Sequence, residues 1–149
     1  MKATVKINQS DLNNLNKKIA FFKGFDKNVL STELARTAMD IAREAKKNVA
    51  RNANDTGALK QSITPVIKGK TVSVVANKKY APYIEFGTGR LVSLDDMLEL
   101  GIPSTYAMQF KGKGLREVNL PARPFLFSSA RIGMRNLIDR LTKRIEKIR

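Results

Sequence analysis

The residues between about 31 and 52 constrain the fold of this chain most, because they read as one long amphipathic helix. Apolar side chains recur there at every third or fourth position, a spacing that keeps them on one face of an α-helix. Many of these inward residues are alanine, so another element can approach the helix closely. The apolar stripe consists of Leu34, Ala38, Ile41, Ala42, Ala45 and Val49, and the opposite face of Arg36, Asp40, Arg43, Lys47 and Arg51.

The segment before this helix predicts a strand and a second amphipathic helix. Residues 3–7 alternate apolar and polar side chains, which is the period of a half-buried strand. Ser10 is a typical helix N-cap, and Gly24 lies where this helix is expected to end. The apolar positions between them recur at helical spacing and are Leu12, Leu15, Ile19 and Phe22.

The middle of the chain predicts a β-hairpin followed by a short helix. Apolar residues in 63–67 face those in 72–76 across the turn Lys68-Gly69-Lys70, whose glycine is typical of hairpins. A turn or short helix then spans about 80–86. Pro82 would lie near its first turn, where a missing N–H costs little.

Residues 90–120 read as an excursion from the main domain, either a long loop or a protruding hairpin. Ser93 and Asp96 form a capping box for a short helix that ends at Gly101, and residues 106–110 are a candidate strand. Large apolar residues are too frequent here for a solvated disordered segment, so we expect the excursion to pack on a neighbouring subunit or an adjacent ring. Those expected to be exposed in an isolated protomer are Leu91, Val92, Leu94, Met97, Leu98, Leu100, Ile102, Met108 and Phe110.

A second long amphipathic helix is expected to close the chain. It would run from Pro124, in the first helical turn, to Arg149, a length of roughly 39 Å at 1.5 Å per residue. Phe125 and Phe127 could fasten this helix to the sheet. The expected inner face is Ala130, Met134, Leu137, Leu141, Ile145 and Ile148. The other faces carry Arg131, Arg135, Arg140, Lys143, Arg144, Lys147 and Arg149.

This order of elements indicates an α+β fold, because helices lie towards the ends of the chain and strands towards its middle. A length of 149 residues fits a single domain spanning 1–149. We therefore expect a small antiparallel sheet packed by long amphipathic helices. The 90–120 excursion would lie between the central turn and the C-terminal helix.

The composition excludes several kinds of chemistry. The chain has no cysteine and no histidine, which removes disulfides, thiolate nucleophiles, the commonest general base and the usual zinc ligands. No run of about 18 apolar residues occurs, so we expect no membrane span. We expect the protein to stay inside a cell, or to be built into a particle there.

The net charge of +15 suggests an acidic partner. Nucleic acid, an anionic surface and an acidic neighbouring subunit all fit such an excess of Lys and Arg. A solvated basic surface that aids solubility is the simpler alternative, and charge alone does not choose among them.

One tetrapeptide matches a catalytic motif. Asp55-Thr56-Gly57-Ala58 has the signature of retroviral-type aspartic proteases, in which two such aspartates share one proton. That chemistry places each aspartate at the end of a buried apolar strand, whereas residues 51–54 here are the polar end of a helix. A turn is therefore favoured, in which Asp55 caps local N–H groups and Gly57 supplies a positive φ.

The remaining candidates for chemistry are weaker. Asp95, Asp96 and Glu99 could hold a hard cation such as magnesium, but they also suit the solvated first turn of a short helix. No histidine is present to activate a serine, and nothing positions a serine–lysine pair. We expect no enzyme activity, no cofactor and no metal.

Several blocks, taken in order, carry a resemblance to a known family. The long Ala-rich helix is followed by Asp55-Thr56-Gly57-Ala58-Leu59-Lys60-Gln61-Ser62-Ile63, by Tyr80-Ala81-Pro82-Tyr83-Ile84-Glu85-Phe86-Gly87-Thr88 and by Pro121-Ala122-Arg123-Pro124-Phe125-Leu126. This succession resembles the tail-component or tail-completion family of siphophages, whose members are called head–tail joining or neck proteins. Family members often have a proline shortly before the Asp-Thr-Gly turn, where this chain has Asn52 and Asn54.

The resemblance implies a structural virion protein with no catalytic residues. Its protomer would form a homo-oligomeric ring, a hexamer in preference to a dodecamer, between head-closure or connector proteins and the tail tube or tail terminator. Phage DNA would pass through the ring without sequence-specific contacts. Within the motifs, Glu85 lies in an apolar stretch and needs a partner, such as Arg123. Gly87 is expected to have a positive φ.

A basic DNA-binding module is the alternative, because of the +15 charge and the arginine-rich closing helix. Neither helix-turn-helix spacing nor a zinc-finger ligand set is present. Particle size and salt-dependent DNA binding, measured side by side, would separate the two hypotheses.

Overall fold

The computed structural model describes residues 9–52, 57–69, 71–111 and 119–147. The predicted strand at residues 3–7 lies outside these ranges, as do Asp55 and Thr56. The helices are α1 (Gln9–Gly24), α2 (Ser31–Asn52), α3 (Ala58–Ser62), α4 (Ala81–Phe86), α5 (Leu94–Glu99), α6 (Ser104–Lys111) and α7 (Leu126–Glu146). A π-helical turn spans Phe25–Leu30, a 3₁₀ turn spans Gly89–Leu91, and the strands are β1 (Ile63–Lys68) and β2 (Thr71–Ala76).

Helix α2 is the centre of the fold, as its sequence predicts. Its apolar stripe packs against α7 on one side and against the hairpin on the other. The hairpin is antiparallel, with Ile63 paired to Ala76 and Lys68 to Thr71, so the α+β prediction with a small sheet is confirmed. The first hydrophobic core joins these elements and consists of Ala42, Ala45, Val49, Leu59, Ile63, Ala81 and Phe125.

The face of α7 that packs on α2 is rotated from the predicted one, with the predicted Leu137 buried and Ala130 and Leu141 half-buried. Met134 and Ile145 are 52% and 44% exposed, although both were expected in the core. The buried residues are the small Ser129 and Gly133 together with Leu137. A Cβ on Gly133 would collide with the Ile41 side chain and come within 2.8 Å of its Cδ1, so the two helices meet closely at this glycine.

The described part of the excursion forms helices α5 and α6 in place of the predicted long loop or protruding hairpin, and it has a core of its own. Residues 106–110, a candidate strand by sequence, lie within α6, and the helix α5 precedes it. The predicted N-cap is confirmed, because the Ser93 hydroxyl accepts a hydrogen bond from the Asp96 N–H at 3.2 Å. A second core covers this region and consists of Phe86, Val92, Met97, Ile102, Ala107 and Phe110.

This second core corrects the expectation that the excursion would expose its large apolar residues. Val92, Met97, Ile102 and Phe110 are buried within the protomer. Leu91, Leu98 and Met108 are about half exposed, as predicted, at 54%, 49% and 55%. Phe127 of α7 packs against Phe86, with ring centroids 5.5 Å apart, and so ties the second core to the first.

Helix α1 is exposed along most of its length. It ends at Gly24 as predicted, but the backbone does not leave helical conformation there, since the π-helical turn continues directly into α2. The predicted apolar stripe of α1 is exposed on the protomer surface. Its four members are Leu12 at 37%, Leu15 at 53%, Ile19 at 42% and Phe22 at 56% exposure.

Candidate functional site

Two motif blocks that lie more than thirty residues apart in sequence bind each other directly through the backbone. Ile84 at the heart of α4 accepts a 2.8 Å hydrogen bond from the Arg123 N–H. Thr88 and Leu120 are joined twice, by the Thr88 N–H to the Leu120 carbonyl at 2.9 Å and by the Leu120 N–H to the Thr88 hydroxyl at 3.1 Å. We call this joint, residues 80–88 with 119–127, the α4–α7 junction.

Glu85 lies at the centre of the junction and is only 4% exposed. Its Oε2 accepts hydrogen bonds from the N–H groups of Phe125 and Leu126 at 2.8 and 2.9 Å, and its Oε1 accepts one from Phe127 at 2.9 Å. A carboxylate at a helix N-terminus satisfies N–H groups that have no partner within the helix and interacts favourably with the helix dipole. Backbone N–H groups thus bind both carboxylate oxygens of Glu85, and the N–H of Arg123, the partner predicted from sequence, binds the carbonyl of the neighbouring Ile84.

This cap also explains where α7 begins. The sequence placed Pro124 in the first helical turn, but the helix begins at Leu126, with Phe125 as its N-cap residue. Proline has no N–H, so Pro124 cannot contribute to the group of donors that Glu85 holds. The helix consequently starts where three successive N–H groups become available.

Gly87 shows why a glycine follows Glu85 and Phe86. Its φ is +76°, which confirms the predicted left-handed conformation. A Cβ at this position would lie 2.8 Å from the Ala122 nitrogen and 3.1 Å from the Pro121 carbonyl carbon. The backbones of α4 and the 120–122 segment can therefore approach only because residue 87 has no side chain.

The remaining motif residues that the structure describes mostly build the fold. Leu59 and Ile63 are fully buried in the first core. Gly57 has the predicted positive φ, +84°, and precedes α3, while the Ser62 hydroxyl donates to the Leu59 carbonyl at 2.8 Å. Tyr80 and Tyr83, with 40% and 46% of their surface exposed, lie at the surface, as do residues 121–124.

A groove of about 430 Å³ opens beside the junction. Its lining is mainly apolar and includes residues of both cores. The lining residues include Ala81, Phe86, Leu100, Ile102 and Phe127, together with Tyr106. Glu85 contributes to the lining, but its oxygens already accept three N–H groups. The groove is therefore suited to holding apolar side chains.

A buried ion-pair network fastens the far end of α7 to α2. Glu33, 2% exposed, receives the Arg140 Nε on one oxygen and an Arg144 guanidinium nitrogen on the other, both at 2.7 Å. Arg140 also donates to the Thr37 hydroxyl at 2.6 Å. Burial by itself raises the pKa of Glu33, but the hydrogen bonds and charges of the two arginines outweigh it and hold the pKa below its ordinary value.

The acidic residues of the excursion form a separate surface feature. Asp95 and Asp96 lie in the first turn of α5 and Glu99 is its last residue, and all three are exposed. Among the residues with described positions, none makes an ion pair with them, and no group of three potential ligands could hold a metal ion. Within the same ranges, no helix has the length and apolar character needed to cross a lipid bilayer.

The comparison with protein families identifies the class of this chain. A family model described as "Bacteriophage HK97-gp10, putative tail-component" matches residues 12–87, which span α1 to the glycine after α4. The protein is thus a bacteriophage tail-component protein, and it belongs to the HK97-gp10-like family. Searches among curated proteins and among solved structures gave no match.

The family match confirms the resemblance on which the functional prediction rests. It includes the block from Gly57 to Ile63 and the block from Tyr80 to Gly87. Residues 121–127 lie outside it, yet they bind the second block through Glu85 and through Ile84. The predicted pairing of Glu85 with Arg123 joins the same two blocks, but a residue pattern does not indicate the backbone N–H groups that bind the carboxylate.

Proposed function

We propose that this protein is a subunit of a homo-oligomeric ring, a hexamer, at the phage head–tail junction. The ring lies between the head-closure or connector proteins and the tail tube or tail terminator, and DNA passes through it. The protomer acts as a structural part without a catalytic site. Membership of a phage tail-component family supports this proposal. The motif residues that lie in the first core also support it, because they hold the fold together and are not available for chemistry.

The observation that carries the ring proposal is the exposed apolar surface of helices α1 and α7. Besides the α1 stripe, α7 exposes Met134, Ile138 and Ile145 on one face, at 52%, 60% and 44%. Contiguous apolar patches of this kind are rare on monomeric proteins and mark interaction surfaces. Two such patches on one protomer allow each copy to bind two neighbours, which a closed ring requires.

The test is to measure the mass of the full-length protein in solution and to image the particles by electron microscopy. We expect closed rings. In parallel, a phage that lacks this protein should produce separate heads and tails that join when the protein is added. A strictly monomeric protein, or normal virions without it, would contradict the proposal.

A DNA-binding module remains the second candidate because of the +15 charge. The structure reduces the basic set on α7, since Arg140 and Arg144 are paired with Glu33. Arg131, Arg135 and Lys143 are exposed and available to phosphates. A DNA affinity that falls steeply with salt, in a protein that does not oligomerise, would favour this candidate over the ring.

A further inference from the structure

Helix α1 has the features of a segment that docks into another molecule. Its apolar residues Leu12, Leu15, Ile19 and Phe22 form one stripe at spacings of three and four, and each is at least 37% exposed. Lys18 flanks the stripe beside Leu15 and Phe22, and Lys23, in the last turn of α1, flanks it beside Ile19. A 16-residue helix is only marginally stable in water without packing, so an uncovered stripe of this kind needs a partner surface.

The groove beside the α4–α7 junction has the complementary character. It is mainly apolar, about 430 Å³ in volume, and one wall is the α5–α6 connection from Leu100 to Pro103. Helix α5 ends at Glu99, next to this wall, and also carries the exposed Asp95 and Asp96. An apolar groove, whose lining at Leu100 directly follows the acidic helix α5, therefore lies on the same protomer as an apolar stripe with a basic flank.

Charge selects the partner. Two copies of a chain with net charge +15 repel each other over most orientations. A contact between the lysine-flanked α1 and α5 brings opposite charges together, because α5 carries three exposed carboxylates within six residues. Lys78, which follows the hairpin, also lines the groove, and its positive charge repels the lysines of α1. The electrostatic attraction for α1 therefore comes from the carboxylates of α5.

We propose that α1 of one protomer docks, through its apolar stripe, into the junction groove of a second copy, with its flanking lysines towards the α5 carboxylates. This inference rests on the proposed ring and names the contact that builds it. The two surfaces differ, so the contact is heterologous, and repetition of a heterologous contact closes into a ring when the rotation allows. This is helix-in-groove recognition, in which residues at successive turns act as anchors.

Cysteine cross-linking of the full chain tests the contact cleanly, because the natural sequence has no cysteine. Ile19→Cys on α1 and Tyr106→Cys in the groove are both exposed positions, at 42% each, so folding should tolerate them. A protein that carries both should give a ladder of disulfide-linked multimers under mild oxidation. Each single variant should give no ladder.

The matched control pairs Ile19→Cys with Ile132→Cys, which is 53% exposed on α7. A ladder from this control and not from the Ile19–Tyr106 pair would place α1 on α7 and overturn the inference. Disulfide dimers from Ile19→Cys alone would indicate α1 against α1, which also overturns it. In both cases, rings in the unmodified protein would leave the proposed function standing, whereas a monomeric protein without a ladder would remove both.

Charge reversal provides a second readout that does not depend on cysteine chemistry. Lys18→Glu with Lys23→Glu, or Asp95→Lys with Glu99→Lys, should each weaken ring association by about tenfold or more, because like charges then face each other. All four changes in one chain should restore association to within about threefold of the natural protein. Absence of this rescue, with folding intact, would overturn the inference.

Discussion

Helices α1 and α2 belong to one uninterrupted helical run, yet their apolar stripes have opposite fates. In α2, Ala38 and Val49 are 2% and 1% exposed, because α7 and the hairpin cover them. In α1, Leu15 and Phe22 have similar spacing but are 53% and 56% exposed. Periodicity thus predicts that a face needs cover, whereas topology and assembly decide what covers it.

Loss of the Glu85 cap should lower the stability of the buried part of the fold, around α2 and α7, more than any other change proposed here. Glu85→Ala leaves three N–H groups without their acceptor at the buried start of α7, so we expect a loss of about 3–5 kcal/mol in the free energy of unfolding. Urea denaturation measures it. Glu85→Gln, which keeps one acceptor oxygen, should cost less, and equal losses would argue against the capping role.

The close approach of α2 and α7 predicts a smaller effect. Gly133→Ala should cost about 1–3 kcal/mol, because its Cβ meets the Ile41 side chain. In an Ile41→Ala background the clash disappears, and alanine's higher helix propensity should make the same change neutral or stabilising. A double-mutant cycle checks this coupling, and additive costs would refute the close contact.

The Glu33 network predicts a modest effect that depends on pH. Arg144 is half exposed, so solvent screening limits the cost of Glu33→Gln to about 1–2 kcal/mol at neutral pH. The lowered pKa means that the stabilisation is complete above the ordinary value of 4.5 and is lost as the pH falls through the folded-state pKa. Denaturation of both proteins across acidic pH should show their stabilities converging, and a constant gap would exclude the linkage.

The exposed apolar stripe of α1 should tolerate polar substitution without loss of protomer stability. Ile19→Ser, at a position 42% exposed, should change protomer stability by no more than about 0.5 kcal/mol. The matched change Ile41→Ser, at a position 8% exposed, should cost several-fold more. Thermal denaturation at low protein concentration compares them, and similar losses would mean that α1 is packed within its own protomer.

Much of the fold could be predicted from sequence where local physics decides. The bounds of α2, the hairpin, the Ser93 cap and the positive φ of Gly87 follow from spacing and from residue conformational preferences. The inner face of α7 could not, because Gly133 and Ser129 are buried for their small size. Hydrophobicity instead favours Met134, which faces outward.

The candidate site was predictable as a set of residues but not as a geometry. The sequence singled out Glu85 as a carboxylate in need of a partner, yet backbone N–H groups leave no trace in a residue pattern. The prediction of a strand at residues 106–110 was wrong for another reason. A short apolar segment has the same pattern whether it forms a strand or a buried helix. The burial of this segment against Phe86 is a tertiary property.

The π-helical turn at Phe25–Leu30 sets the rotational phase of the whole run. Phe22 and Leu34 are 12 positions apart, about 1.2 residues more than three α-helical turns, so in a regular helix the two stripes would point roughly 120° apart. A π turn accommodates about one additional residue and brings them back onto a common side. Helix α1 thereby extends the apolar face of α2 beyond the hydrophobic core of the protomer. The six residues of the π-helical turn set the direction in which the α1 stripe points.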